Sequence, residues 1–377
     1  MKKLACGFGA LLLGSALGVG CGDDAGPGGS GGSGATGASG GAGGAGGEAQ
    51  GGGGGDLGGG GAGGGGVQPI EATPDTWVWV PIEGTTCGNG STAGVGVNLH
   101  EGSNILIVAM SGGGACWDDT MCNGTTPTSV HLHETLTEAI VAPEFPLVDR
   151  TDPSNPFSAA SWVYVPYCTG DLHWGTKITS YTNGEIHHTG ATNMQTILAR
   201  VAATRPGTTT TYLLGGSAGG YGVSLHWGTT KQAFPGSAVH ILADASPLVM
   251  PHGSRWATML TAWAPAFPEA CTNCEAEPGA LLDTLATAYP TSRYALLSYD
   301  EDEVISQYFG FTGDLGSTLD AMTAAHFDPH PNTKYFIAPG TEHGVLGDPV
   351  IAPDGTSVTD FFFAWLIGAP TWKSERF

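Results

Sequence analysis

Leu213-Leu214-Gly215-Gly216-Ser217-Ala218-Gly219-Gly220 sets a serine among glycines at the end of an apolar run, Thr208 to Leu214. Tyr221-Gly222-Val223-Ser224-Leu225, which can begin a helix, follows directly. A Gly-x-Ser-x-Gly turn between strand and helix is what a nucleophilic serine needs. Small flanking residues let the two elements approach and tolerate a strained backbone at the serine, while the helix N-terminus favours negative charge developing nearby. The pentapeptide alone is weak, because any glycine-rich loop can supply it, so its partners decide its meaning. A serine oxygen becomes a nucleophile when a histidine takes its proton, and the histidine acts when an acid fixes its tautomer.

The histidine is expected after the last strand and before the last helix. His343, in Pro339-Gly340-Thr341-Glu342-His343-Gly344, is the one histidine among the 12 that meets both conditions. His326 and His330 precede that strand, and His131, His133, His187 and His188 sit in polar segments whose spacing matches no metal-ligand pattern. Ser298-Tyr299-Asp300-Glu301-Asp302-Glu303-Val304 supplies four carboxylates, too many to bury together, so most are solvated and either Asp300 or Asp302 can turn inward. Asp244 competes for the acid role, but it comes early in the chain and reads as structural. Ser111-Gly112-Gly113-Gly114-Ala115-Cys116-Trp117 exposes consecutive amides after the apolar run Asn104 to Met110. The amides of Gly113, Gly114 and Ala218 would cradle a tetrahedral oxyanion. Trp117, Trp174 and Tyr221 are candidates for a substrate rim.

The elements that must carry these residues alternate. Trp77 to Pro81 and Gly94 to Leu99 read as antiparallel strands. Asn104 to Met110, Trp162 to Pro166, Thr208 to Leu214, Val239 to Ala243, Tyr294 to Leu297 and Tyr335 to Ala338 read as buried strands. Helical patterns lie at Thr192 to Ala203 and after Asp360. This is an α/β chain with a mostly parallel sheet, helices on both faces and one domain over 68–377, and loops after its strands should bear the chemistry. Serine, acid and histidine come in the order of an α/β-hydrolase, and the reaction they suit is ester hydrolysis through an acyl-enzyme, with no cofactor and no metal.

Composition confines the setting. Lys2 and Lys3 precede an apolar segment from Leu4 to Val19, a signal peptide over 1–20 that is too short to span a membrane. Leu17-Gly18-Val19-Gly20-Cys21 is similar to a bacterial lipobox, with the leucine one place further from the cysteine than usual. Cys21 is therefore the expected lipidation site, and the protein is expected at the cell surface or in the periplasm, or else freely secreted. Residues 21–67 hold most of the excess among the 64 glycines and read as a flexible tether. A net charge of −22 with 12 basic residues excludes nucleic acid and an anionic lipid surface as partners, leaving the lipid anchor as the membrane contact. Six further cysteines in an exported chain suggest three disulfides. Short separations make Cys116 with Cys122 and Cys271 with Cys274 natural pairs and leave Cys87 for Cys168, although spacing alone does not fix the connectivity. Cys271-x-x-Cys274 also has the spacing of a redox pair or half a zinc site.

A longer set of segments resembles the pectin acetylesterase and Notum family of carboxylesterases. It runs through Cys87-Gly88-Asn89-Gly90-Ser91, Ser111 to Cys116 with Cys122, Val163-Tyr164-Val165-Pro166-Tyr167-Cys168-Thr169-Gly170-Asp171, Gly216 to Gly220, Leu242 to Ala245 and Tyr299-Asp300. The resemblance implies disulfides Cys116–Cys122 and Cys87–Cys168, and it implies Asp300 rather than Asp302 as the triad acid. Where the family often has an acidic residue and an aromatic in the glycine loop, this chain has Ser111 and Gly114. Plant members have cysteine where Gly216 stands, so the acyl pocket is this chain's own. The expected activity is hydrolysis of O-acyl esters, O-acetyl foremost, on a polysaccharide or another alcohol. A lipase or polyester depolymerase would share the triad and differ in the pocket, and a tethered carbohydrate- or protein-binding module would keep the shell without turnover.

Overall fold

The computed structural model describes residues 67–123, 147 and 149–377. The leader, Cys21, the tether, His131 and His133 lie outside the described residues. The strands are β1 (Val78–Pro81), β2 (Gly94–Asn98), β3 (Ile105–Met110), β4 (Ser161–Val165), β5 (Lys177–Tyr181), β6 (Gly184–His188), β7 (Thr210–Gly216), β8 (Ala238–Asp244), β9 (Tyr294–Tyr299), β10 (Thr333–Ala338) and β11 (Glu375–Arg376). The helices are α1 (Asp119–Asn123), α2 (Gly190–Thr204), α3 (Ala218–Ala233), α4 (Arg255–Trp263), α5 (Ala280–Ala288), α6 (Glu303–Phe309), α7 (Leu315–His326) and α8 (Val358–Ile367). Among the described residues, no helix is long and apolar enough to cross a membrane.

One sheet runs β1-β2-β4-β3-β7-β8-β9-β10-β11. Its first three strands pair antiparallel and the rest pair parallel, as the opening aromatic strands and the later apolar runs imply. Side chains alternate across the strands. On β7, Leu213 packs into one core with Leu198 of α2 and Trp227 of α3, whereas Tyr212 and Leu214 pack into a second core with Phe361, Phe362 and Trp365 of α8. Both faces are therefore covered, and that is why β7 reads as a nearly continuous apolar run. α8 starts sharply because Ser357 and Asp360 form a reciprocal capping box, and it stops at Gly368 in the left-handed conformation.

The β5–β6 hairpin, strand β11 and helices α1, α4, α5, α6 and α7 have no counterpart among the elements expected from the sequence. The hairpin is legible only in three dimensions, since Lys177 Nζ donates to Thr261 O at 2.7 Å and Thr179 Oγ1 donates to Ala262 O at 2.5 Å, tying it to α4 without an apolar period. Disulfides join Cys87 to Cys168, Cys116 to Cys122 and Cys271 to Cys274. The last pair is thus neither a dithiol nor a zinc ligand pair.

Strand order reverses at β3. Its sequential successor β4 lies on one side and β7 on the other, and in open α/β sheets ligands bind at the carboxyl ends of strands flanking such a reversal. Those two ends are Met110 and Gly216, followed by the glycine loop and by Ser217.

Candidate active site

Ser217 stands between β7 and α3 with φ 53° and ψ −128°. A residue with a side chain holds that backbone only where its surroundings enforce it. Here the Ser217 amide donates to Asp244 O at 2.8 Å, and the Gly220 and Tyr221 amides donate to Ser217 O at 3.0 and 3.3 Å. A Cβ on Gly219 would collide with the Met110 carbonyl, so only glycine lets α3 begin against the end of β3. A Cβ on Gly112 would lie 2.9 Å from Gly216 O and 3.0 Å from Ser217 Cβ. The glycine loop therefore rests directly on the elbow. Beyond Gly112 the backbone turns at Gly113 and Gly114 (φ 154° and 75°), and no described residue accepts a hydrogen bond from either amide.

That loop is fastened from behind. Ser111 donates its amide to Val165 O at 3.0 Å, its hydroxyl accepts from the Tyr167 amide at 2.7 Å, and Cys116 donates its amide to Gly170 O at 2.9 Å. The corner supplying these partners is built on Asp171, whose fully buried carboxylate accepts from Thr169 Oγ1 (2.6 Å) and from the amides of His173, Gly175 and Gly190 (3.0, 3.1 and 2.8 Å). Leu172 and His173 both adopt positive φ there (57° and 61°). His173 Nε2 thereby reaches 3.0 Å from Ser111 O. A carbonyl accepts only, so Nε2 carries the proton and donates, and burial lowers the pKa and favours this neutral ring. Asp171 and His173 had no role in the sequence reading. The signal that could have found them is a buried-type acid directly after Pro-Tyr-Cys-Thr-Gly, at the carboxyl end of a strand.

His343 follows β10, where its sequence position requires it, and its Nδ1 lies 2.8 and 3.1 Å from the two oxygens of Asp302. Nδ1 therefore donates and Nε2 keeps the lone pair of a base; that nitrogen is buried and takes no partner among the described residues. Asp302 is 0% exposed and also caps α6, accepting from the Ile305 amide at 2.9 Å. The acid beside His343 is thus Asp302, not the Asp300 implied by the family resemblance. The reason is geometric. Asp300 still belongs to the sheet ladder through its amide, which donates to Ala338 O at 2.9 Å, and its carboxylate faces the β11 edge. There it accepts from Gly340 N at 3.1 Å and pairs with Arg376 at 3.0 Å. Two residues later the chain leaves the strand and opens α6, and only there does a carboxylate point at the histidine.

Asp244, which its early position in the chain sets apart from the triad acid, lies at this site. Its carboxylate accepts from the Val345 amide (2.9 and 3.1 Å) and the Leu346 amide (3.0 Å), holding the chain just after His343.

The three aromatic candidates for a rim are core residues instead. Trp117, Trp174 and Tyr221 are 4%, 1% and 3% exposed. Trp117 packs edge-on against Trp263 and Tyr308, and Trp174 donates its indole N–H to Tyr221 O at 2.7 Å. Large aromatic rings beside a crevice gain more by filling the layer beneath it than by facing water. Cys116, Cys122 and His188 converge, but the sulfurs form a disulfide and His188 bonds Thr169 O and Tyr181 Oη, so they offer no metal ligands.

A doubly covered, mostly parallel sheet with a strained serine at its switch point and an acid–histidine pair in the following loops defines an α/β-hydrolase fold. Solved structures agree: two crystal forms of the Wnt deacylase Notum from Drosophila align with TM-scores of 0.57 and 0.55 at 20% and 21% identity, each over 80% of this chain and over 96% and 95% of theirs. The family model described as pectinacetylesterase matches residues 76–251. Among curated proteins, human palmitoleoyl-protein carboxylesterase Notum is 27% identical over 167 residues, which is 42% of this chain and 34% of that protein. The Drosophila protein of the same name is 28% identical over 148 residues, 37% of this chain and 22% of its own length. The alignments thus span about a third or less of these curated relatives. Over residues 76–251 the chain is similar to the pectinacetylesterase family, and its fold is that of Notum, which is consistent with the pectin acetylesterase and Notum family.

Proposed function

We propose that the protein is an exported serine carboxylesterase that hydrolyses O-acyl esters. The observation that carries this reading is that one residue, Asp244, bonds both the Ser217 amide and the loop of His343, whose Nδ1 is held by Asp302. Ser217 Oγ attacks the ester carbonyl carbon as its proton passes to His343 Nε2. Asp302 holds the imidazole in the tautomer that leaves Nε2 free and stabilises the imidazolium. The carbonyl oxygen becomes an oxyanion facing the amides of Gly113, Gly114 and Ala218. Collapse breaks the bond to the alcohol, which takes the proton from Nε2 and leaves an acyl-Ser217. Water, deprotonated by His343, then attacks the acyl carbon and releases the acid with Ser217 restored.

A short acyl group, acetyl foremost, is the expected substrate, because the aromatics Trp174 and Tyr221 beside the elbow are buried in the core. A polysaccharide is the alcohol side favoured by the family match. Three disulfides fit an oxidising compartment outside the cytoplasm. With the leader and Cys21 of the sequence, they support an exported protein that carries a lipid anchor. The test uses p-nitrophenyl esters of graded chain length and an O-acetylated polysaccharide, with wild type and Ser217→Ala. Wild type should turn over acetate fastest, and Ser217→Ala should fall about 10⁵-fold or more. No turnover of any ester by the wild type, or equal turnover by the variant, would overturn the assignment.

A further inference from the structure

We infer that Asp244 is a positioning residue that fixes the separation of Ser217 and His343, binding the nucleophile's backbone with its carbonyl and the histidine's loop with its carboxylate. The inference rests on the proposed roles of those two residues. β8 runs parallel to β7 with Asp244 abreast of Gly216, the residue just before the serine. The ladder continues one bond further, from Ser217 N to Asp244 O at 2.8 Å. Ser246 Oγ also donates to Asp244 O at 3.2 Å, and a Cβ on Gly220 would collide with Ser246, so the same corner packs against the first turn of α3. From the other end of Asp244, its carboxylate receives Val345 N and Leu346 N, the second and third residues after His343. Asp244, Val345 and Leu346 are 1%, 0% and 4% exposed, so these bonds are shielded from competing water. A buried acid that merely satisfied a loop would account for the carboxylate bonds. It would not account for the nucleophile's amide resting on the same residue.

The groups facing this carboxylate are His343, Asp302 and Tyr299. Burial raises its pKa to about 6, opposed by the Val345 and Leu346 amides and by His343 and assisted by the charge of Asp302. Protonation of Oδ1 turns that oxygen into a donor and removes the 2.9 Å bond from Val345, which leaves both amides on Oδ2 alone at 3.1 and 3.0 Å. The clamp should therefore weaken when Asp244 takes a proton.

The test is the acid limb of kcat/KM for p-nitrophenyl acetate, with the folded fraction followed by circular dichroism. In the wild type log kcat/KM should fall with a slope approaching about two, steeper by the proton of Asp244 than the slope of one that a single catalytic base gives. Asp244→Asn should lose about 10–100-fold in kcat with little change in KM, label Ser217 more slowly with a fluorophosphonate, and return the limb to a slope of about one. A wild-type slope of one overturns the inference, and that measurement needs no variant to fold. A slope of two retained in Asp244→Asn, or an unchanged kcat, also overturns it. If wild type is inactive or Ser217→Ala stays active, the proposed triad fails first. If those controls behave and only the Asp244 results miss, the triad stands and the positioning role falls.

Discussion

Replacing Asp302 by Asn, with Asp300→Asn beside it, separates the two acids by what each one touches. One Asp302 oxygen accepts both the Ile305 amide (2.9 Å) and His343 Nδ1 (3.1 Å), while the other accepts Nδ1 at 2.8 Å. In Asp302→Asn the remaining carbonyl oxygen can keep the helix cap, which places the new amide N–H₂ at the shorter contact with Nδ1. Two donors then face each other, and the ring relieves the clash by moving its proton to Nε2. That tautomer has no lone pair for Ser217. Loss of the correct tautomer in a serine triad lowers kcat by about 10⁴-fold, about 5 kcal/mol of transition-state stabilisation. Stability should fall far less, by about 1 kcal/mol, because the cap can survive. Asp300→Asn weakens a partly exposed pair with Arg376, worth about 0–1 kcal/mol, and should leave activity within about twofold. Steady-state kinetics on p-nitrophenyl acetate and thermal unfolding of both variants give the four numbers needed. If Asp300→Asn abolishes kcat while Asp302→Asn keeps it, the acid assignment and its structural argument are wrong.

Three further outcomes follow from the geometry. Gly112→Ala brings a Cβ to 3.0 Å from Ser217 Cβ, and it should lower kcat about tenfold or more through displaced oxyanion donors, with KM nearly constant; steady-state kinetics checks it, and an unchanged kcat would contradict the loop's role. Cys87–Cys168 closes a sequence separation of 81, so replacing both cysteines by serine should cost about 4 kcal/mol and lower the melting temperature by about 10 °C, read by calorimetry. Burial moves Asp244 from 3.8 to about 6, so its favourable contribution is complete below the unfolded value and is lost as pH rises through about 6. The stability of wild type relative to Asp244→Asn should accordingly decline by about 3 kcal/mol between about pH 4 and 7, and a flat difference in chemical denaturation would refute the raised pKa.

How far the site could be read from the chain depends on the range of the constraint behind each residue. Ser217 is legible because its requirement is local: a strand, two close glycines and a helix start are all visible within a dozen residues. His343 is legible because strand order puts it after β10 and before α8, and no other histidine competes. The sheet is legible for the same reason, since β7 and β8 are buried on both faces and must be apolar. The acid depends on something the pattern of strands does not contain. Asp300 and Asp302 have the same side chain and lie two residues apart, and the choice between them turns on where β9 ends and α6 begins. A reading weighted toward helix capping would have noticed that Asp302 precedes Glu303-Val304-Ile305 and can accept from the third residue onward. The rim aromatics fail for a similar reason. Hydrophobic content places Trp117, Trp174 and Tyr221 near the crevice, but which layer each ring fills is settled by Trp263 and Tyr308, by Trp256 and by Phe309 respectively, which are remote in sequence.

The same distinction explains why Asp244 looks ordinary in the sequence and consequential in the fold. An acid after a buried strand suggests a cap or a turn, and Asp244 does cap a turn. What gives it reach is the parallel register, because β8 lies directly beside β7 and the residue after the nucleophile's neighbour must find a carbonyl there. Any residue at 244 could offer that carbonyl; an acid at that point also reaches across to the loop that returns from β10. The nucleophile and the base lie on loops far apart in sequence, and loops alone would let their separation drift. Bonding both to one buried residue on a central strand transfers the rigidity of the sheet to the reacting pair. Precision of this kind matters most for a site whose His343 Nε2 takes no partner among the described residues, since no direct serine–histidine bond is there to hold the distance.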